Sequence, residues 1–140
     1  MIWYKKYAIN DLTPFVSNTL VSHLDINITE IGDDSLTAIM PVSAKVVQPA
    51  RLLHGGASVV LAESLGSIAS HMCVDTNKYQ IVGLEINANH IRGVKEGEGS
   101  VKGVCTSIHL GRSTHIWNIN IFGPNEKLVC VSRLTVAVLN

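Results

Sequence analysis

The chain has 140 residues, 46% of them apolar, which suits one domain with a real core and is too short for two. Eleven basic residues balance eleven acidic ones, so no net charge draws the protein to nucleic acid or to an anionic membrane. Lysines interrupt the apolar N-terminus and no apolar run reaches about 18 residues. We therefore expect a soluble, cytoplasmic protein with one domain over residues 1–140, binding neither nucleic acid nor membranes.

The cysteines and the histidines both argue against a metal site. Three widely spaced cysteines without a C-x-x-C pair are typical of buried thiols in a reducing compartment, not of a disulfide framework or a cysteine zinc site. Six histidines show no H-x-x-x-H pair on a helix and no carboxylate at ligand spacing. We expect no metal and no separate cofactor.

The first third of the chain predicts a short helix and a hairpin. The helix is expected from Asp11 to about Leu20, with Asp11 as its candidate N-cap and Pro14 in its first turn. From His23, apolar residues alternate with polar ones, as in a half-buried strand. After turn residues 31–35 the alternation returns, which predicts a second, paired strand whose apolar positions are Leu36, Ala38, Met40 and Val42.

A long apolar stretch from His54 to about Cys73 exceeds any ordinary strand and predicts a buried helix. Four alternating runs follow it, separated by short turns, so we expect antiparallel strands in a meander or near-meander. The fold class is therefore α+β, with about six strands wrapped around one long helix. The apolar positions of these runs are Val82, Leu84, Ile86 and Ala88; Val104, Thr106, Ile108 and Leu110; Trp117, Ile119 and Ile121; and Leu128, Cys130, Leu134, Val136 and Val138.

Glu63 is the only charged residue between Arg51 and Asp75, and it lies inside this apolar helix. No lysine or arginine stands three or four residues away, so no local ion pair compensates the cost of burying its carboxylate. A glutamate at an exposed helix end could simply point to solvent, but these apolar neighbours favour a role in chemistry.

The start of the helix is a candidate site for a carbonyl oxygen. Gly55 and Gly56 permit close approach, and the unpaired N–H groups and positive dipole end of a helix N-terminus polarise such an oxygen. Ser67 lies one turn beyond Glu63 on the same face. Together they suggest acyl transfer to water, in which Glu63 attacks the carbonyl or deprotonates a water and Ser67 orients a reactant.

Each of the flanking residues also has a purely structural interpretation. A glycine pair is often only a packing point, and His54 could be a capping or core histidine instead of a group that fixes the carbonyl. Gln48 is a weaker candidate, because a solvated loop residue is usual in that irregular stretch. A Ser-His-Asp hydrolase is poorly supported, since no G-x-S-x-G elbow occurs.

Several runs together resemble a known family. They are Gln48-Pro49, Leu53-His54-Gly55-Gly56, Ala62-Glu63-Ser64-Leu65-Gly66-Ser67 and residues 83–90, read as GLEINANH. These runs resemble the hotdog-fold acyl-CoA thioesterases of the phenylacetate type. The chain is most similar to the bacterial group with a helix glutamate, which includes the dihydroxynaphthoyl-CoA thioesterases and the enterobactin proofreading thioesterase. The likeness covers nearly the whole chain.

The resemblance implies a role for each matching residue. Glu63 resembles the catalytic carboxylate and Ser67 its helper, whereas Gln48, His54 and the Gly55 amide resemble the groups that polarise the thioester carbonyl. The segments expected to contact coenzyme A contain Gly56, His90, Arg92, Gly111 and Arg112. In the family each active site takes residues from two chains, so a homodimer or homotetramer is expected.

The resemblance thus implies hydrolysis of an acyl-CoA whose acyl group is aryl or of short to medium length. Coenzyme A would be part of the substrate. Two alternatives on the same fold are a non-catalytic acyl-CoA binding module and a dehydratase. A binding module has no need of an unpaired carboxylate at Glu63, and a dehydratase would pair a histidine with a differently placed acid.

Overall fold

A computed structural model describes residues 1–140, and its first elements are short. A 3-10 turn, Ile9–Leu12, precedes the helices α1, Thr13–Val16, and α2, Leu20–His23. The prediction of one continuous helix here was wrong. Ser17 is extended and Asn18 has a left-handed φ of 56°, which ends α1 and starts a new helix after it.

The caps of this region also differ from expectation. Ala8 is the N-cap of the 3-10 turn, and the backbone N–H of Ala8 donates a hydrogen bond to the Asp11 carboxylate at 2.8 Å. Asp11 therefore stands three positions inside the turn, where a carboxylate reaches back to the chain start. Thr19 caps α2, because its hydroxyl accepts from the N–H of Val21 at 3.2 Å.

The predicted hairpin is confirmed, with shorter strands than the alternation suggested. Strand β1, Asn27–Ile31, pairs antiparallel with β2, Ser35–Pro41. The strand does not begin at His23, because residues 20–23 form α2. Val42 lies just past the end of β2 but is buried, as its place in the pattern predicted.

Helix α3, Gly55–Met72, is the long buried helix that the apolar stretch predicted. His54 is its N-cap and Cys73 its C-cap, so both ends agree with the predicted bounds to within a residue. The helix packs its apolar face on the sheet and supplies the centre of the core. Its fully buried side chains include Leu61, Leu65 and Met72. No helix of the protein is both long enough and apolar enough to cross a membrane.

Six strands form one antiparallel sheet against this helix. The later strands are β3, Gln80–His90; β4, Ser100–Leu110; β5, Thr114–Phe122; and β6, Leu128–Leu139. Their order in the sheet is β1-β2-β4-β5-β6-β3. Strands β4 to β6 form the predicted meander, whereas β3 returns to the far edge beside β6. The sheet thus wraps the helix and leaves β3 with one unpaired edge.

The alternation identified the buried face of β5 and most of β6 correctly but not that of β3 and β4. Trp117, Ile119 and Ile121 are fully buried. By contrast, Val82 and Leu84 of β3 are 46% and 60% exposed, and Ile108 of β4 is 50% exposed. Both strands contain a register shift, between Gly83 and Glu85 and between Ser107 and His109. In β3 the bulge inserts one residue and exchanges the two faces, which a constant period of two cannot show. In β4 the buried residues Val101 and Cys105 precede the bulge, so the predicted alternation from Val104 followed the less buried face from its start.

Candidate active site

The start of α3 carries one free backbone donor. The Gly56 N–H donates to Nδ1 of His54 at 2.8 Å, so it is already paired. The Gly55 N–H makes no hydrogen bond, although it lies at the positive end of an 18-residue helix. Of the two amides expected to be unpaired, only that of Gly55, the residue expected to hold the carbonyl, is free. The Gly56 amide is part of the helix cap.

The His54 cap also determines which ring nitrogen can donate. A neutral imidazole whose Nδ1 accepts a hydrogen bond carries its proton on Nε2. The backbone N–H of His54 donates to the Val46 carbonyl at 2.8 Å, which fixes the residue to the preceding turn. His54 is thus both a cap and a donor, so the two interpretations of this histidine are compatible.

Gln48 is held in a tight loop before the helix. Its side-chain oxygen accepts from the N–H of Ala50, and its backbone carbonyl accepts from Arg51. Arg51 has a left-handed φ of 65° and pairs its guanidinium with both carboxylate oxygens of Glu96, at 2.7 and 2.9 Å. Because the Gln48 oxygen is occupied, the side-chain NH₂ group is left as a donor.

A cleft of about 360 Å³ opens beside the helix start. It brings together Gln48, Gly55, His90 and Arg92, which were expected in two different parts of the site. A Cβ on Gly55 would lie 2.7 Å from Nε2 of His90, so the imidazole covers the glycine directly. His90 therefore lies against Gly55 at the start of α3, although it was expected among the segments that contact coenzyme A. The remaining lining residues are Leu52, Leu53, Ser58, Ile91, Gly93 and Val129.

Arg92 supplies positive charge at the same cleft. Its Nη1 donates to the Leu128 carbonyl at 2.9 Å, and it pairs with no carboxylate. An arginine held by a backbone carbonyl keeps its charge available to an anion. Sequence reasoning had not singled out Ser58 or Val129, because a small polar residue and an apolar residue in regular elements carry no signal of a cleft.

Glu63 lies elsewhere on the helix. The side chain is half-buried and makes no hydrogen bond or ion pair. A Cβ on Gly83 would lie 3.0 Å from its Oε1, so the carboxylate rests against strand β3. Ser67, also half-buried, follows one turn later. Glu63 does not line the cleft at Gly55: eight residues at 1.5 Å of rise separate them by roughly 12 Å along the helix.

Gly111 and Arg112 lie at the opposite end of the helix from His90. Gly111 closes the β4–β5 turn by donating its N–H to the Thr114 carbonyl at 2.8 Å. With Arg112 it lines a second cleft, of about 390 Å³. The two segments expected to contact coenzyme A are therefore not brought together within one chain. Other residues of this cleft include Tyr4, Cys73, Tyr79 and His115.

A buried polar cluster supports the floor of this second cleft. Trp117 donates its indole N–H to the Ser70 hydroxyl at 2.7 Å, and Nδ1 of His115 is 3.1 Å from the same oxygen. Burial lowers the pKa of His115, and His109 adds to the effect. Burial also raises the pKa of the Cys73 thiol to about 12. The cluster joins α3 to β5. With its pKa raised, the Cys73 thiol stays protonated at neutral pH and is not a reactive nucleophile.

No group of three or more histidine, cysteine, aspartate or glutamate side chains is arranged to hold a metal ion. Gln48 and Gly55 line the cleft at the helix start, whereas the exposed His54 caps the helix and is not among the residues that line this cleft; the unpaired Glu63 lies in a second region.

Comparison with known proteins identifies the family. Residues 51–130 match the model of the thioesterase superfamily. The 1,4-dihydroxy-2-naphthoyl-CoA hydrolase of Escherichia coli K12 is 49% identical over 139 residues, covering 99% of this chain and all of that protein.

Solved structures agree. A mutant thioesterase from Pseudomonas aeruginosa has a TM-score of 0.94 and 48% identity, covering 99% of both chains. Thioesterase HI1161 from Haemophilus influenzae has a TM-score of 0.93 and 45% identity, covering all of this chain and 96% of that one. The predicted resemblance and the hotdog fold are confirmed, and the chain belongs to the thioesterase superfamily as a thioester hydrolase.

Proposed function

We propose that this protein hydrolyses the thioester of an aryl-CoA, or of an acyl-CoA with a short to medium chain, to the free acid and coenzyme A. The observation that carries the proposal is the presence, on one helix, of a free N-terminal donor at Gly55 and of an unpaired carboxylate at Glu63. The Escherichia coli relative is a hydrolase of 1,4-dihydroxy-2-naphthoyl-CoA, an aryl-CoA, which supports the aryl case.

In the proposed mechanism the thioester carbonyl oxygen binds at the start of α3. The Gly55 N–H, Nε2–H of His54 and the Gln48 NH₂ group stabilise the negative charge that forms on this oxygen. Each such donor contributes roughly 100 to 1000-fold in known acyl-transfer sites. His90 covers Gly55, and Arg92 attracts a phosphate of coenzyme A to the mouth of the cleft.

Glu63 acts in one of two ways. As a general base it takes a proton from water, which adds to the carbonyl carbon; the C–S bond then breaks and the coenzyme A thiolate leaves. As a nucleophile it forms a mixed anhydride with loss of the thiolate, and water then cleaves the anhydride. Ser67 orients the water or the acyl group in both cases. No step uses a metal ion.

A single chain does not complete this site, because Glu63 lies roughly 12 Å along the helix from Gly55. We propose that two chains pair through the free edge of β3. Gly83, near the start of β3, lies beside Glu63, whereas His90, at its end, covers Gly55. Antiparallel pairing of two β3 strands about a two-fold axis brings the start of one strand to the end of the other. Glu63 of one chain then approaches Gly55 of the other.

This arrangement also covers the edge of β3, which a single chain leaves without a hydrogen-bonded neighbour strand. An eleven-residue edge strand with the exposed side chains Val82 and Leu84 is a template for pairing with another strand. We propose a homodimer, which pairs again as a homotetramer. In the assembly, Gly111 and Arg112 of one chain can contact the same coenzyme A as His90 and Arg92 of the other.

A substrate panel tests the proposed function. Free coenzyme A thiol released from benzoyl-CoA, a hydroxynaphthoyl-CoA, hexanoyl-CoA and palmitoyl-CoA would be measured with a thiol reagent, in buffer containing a chelator. We expect the aryl thioesters to have the highest kcat/KM and chelation to have no effect. Tight binding of all four without release of thiol would instead support a non-catalytic acyl-CoA binding module.

A further inference from the structure

We propose that Gly83 is a positioning residue for the Glu63 carboxylate, because its missing side chain leaves the space that one carboxylate oxygen occupies. The inference rests on the proposed catalytic role of Glu63 and adds a determinant on a different element of the fold. Nothing in the helix itself holds this carboxylate in place, since Glu63 makes no hydrogen bond or ion pair.

The space at Gly83 is filled by one atom. A Cβ built on Gly83 would lie 3.0 Å from Oε1 of Glu63, and no other atom beyond the neighbouring residues comes within 4 Å. Nonbonded atoms of this size are most stable at about 3.5–4.0 Å, so a methyl group would displace the oxygen by several tenths of an ångström. The carboxylate makes no hydrogen bond or ion pair, so it remains free to react.

The backbone gives no other reason for a glycine here. Gly83 does not have a positive φ; among the glycines only Gly97 and Gly99 do. An alanine would therefore fit the backbone of β3 without strain. A glycine inside a strand weakens it, and its presence often marks a site where another group approaches the backbone closely.

The bulge that follows Gly83 protects the same carboxylate. Gly83 pairs with Val136 and Glu85 with Thr135, so Leu84 is the extra residue. Without the bulge, Glu85 would be the next residue of β3 to face the helix and would add a second negative charge near Glu63. In the structure Glu85 is exposed and accepts a hydrogen bond from the Asn87 side chain at 3.1 Å.

The first test is the variant Gly83→Ala. A misplacement of 1 Å can cost about 100-fold in rate, so displacement by a few tenths should lower kcat about 10-fold and leave KM within about 2-fold. Thermal stability should be unchanged or slightly higher, because alanine loses less backbone entropy than glycine on folding. The control is Glu30→Ala, an exposed position on β1 at the opposite edge of the sheet, and its kcat should stay at the wild-type value.

A double-mutant cycle separates positioning from general damage. Glu63→Asp shortens the side chain by one methylene and withdraws the carboxylate from Gly83, so adding Gly83→Ala to it should cost less than about 2-fold in kcat. A wild-type kcat for Gly83→Ala, an equal loss in both backgrounds, or a Gly83→Ala protein that fails to fold would overturn the inference. Wild-type protein inactive on every acyl-CoA would instead refute the proposed function itself, and this inference with it.

Discussion

At the scale of single residues, Glu63 is the group on which the proposed chemistry depends. Its carboxylate is half-buried on an apolar helix and lies against Gly83 without any cation or donor to neutralise it. A structural glutamate in such a place would be expected to have a partner, because burying an unpaired charge is costly. A carboxylate that must attack a carbon or accept a proton needs an unoccupied oxygen.

Replacing Glu63 with Gln should lower kcat by at least about 100-fold, because the amide keeps the shape of the side chain but neither attacks nor accepts a proton. The measurement is steady-state hydrolysis of the best aryl-CoA, with circular dichroism and light scattering to show an intact fold and assembly. Glu30→Gln, an exposed glutamate on β1, is the matched control and should retain full activity. A Glu63→Gln protein with near wild-type kcat would remove Glu63 from the chemistry.

At the scale of elements, α3 and the antiparallel sheet could be predicted from the sequence, whereas parts of β3 and β4 could not. The helix has an apolar stretch too long for a strand and a capping histidine, and its bounds follow from these features. The face of β3 depends on the bulge after Gly83, whereas in β4 the half-buried Val104 and Thr106 alternate as regularly as the buried Val101 and Cys105. No residue type announces a bulge reliably, and one extra residue reverses every later side chain.

The candidate site shows the same division. The residue types at the start of α3 were predictable, because glycines and a capping histidine have clear physical roles. Which amide stays free depends on side-chain conformation, since the His54 ring occupies the Gly56 N–H and leaves Gly55 unpaired. The place of His90 over Gly55 depends on the return of β3 to the far edge of the sheet.

Two histidines, His71 in α3 and His115 in β5, should make the stability of the fold depend on pH. Burial lowers the pKa of His71, and burial followed by the charge of His109 lowers the pKa of His115. A histidine whose pKa is lower in the folded state binds a proton more tightly in the unfolded state, so its protonation at low pH favours unfolding. Its contribution to stability is thus complete above the unfolded pKa of about 6.5 and is lost as pH falls through the folded value.

We therefore expect the free energy of unfolding in urea to be nearly constant from pH 8 to 7 and to decrease steadily from pH 6.5 to 5. The variant His71→Gln should show a shallower decrease, because one of the two groups no longer titrates. Equal free energies at pH 7.5 and pH 5.5 in the wild-type protein would contradict this assignment.

At the scale of the whole molecule, a net charge of zero provides no long-range attraction for an anionic substrate, so the proposed recognition of coenzyme A relies on local cations. Arg92 and Arg112 are such cations, yet they line clefts at opposite ends of the helix. Composition and periodicity could not predict this separation, because it follows from the strand order. In the dimer that we propose, pairing of two chains through β3 brings these two clefts together and also brings Glu63 of one chain towards Gly55 of the other.

The central claim is that one chain supplies Glu63 and the other supplies Gln48, His54 and Gly55. Two inactive variants test it directly: Glu63→Gln, and a double variant with Gln48→Ala and His54→Ala. Mixed and refolded together in equal amounts, they should recover about a quarter of wild-type activity. An active site needs an intact Glu63 from one chain and an intact Gln48 and His54 from the other, and random pairing meets each requirement in half of the sites. Glu63→Gln refolded with Glu63→Ala is the control and should stay inactive. Recovery near a quarter is the predicted result, and a mixture no more active than its separate components would contradict a site shared between chains.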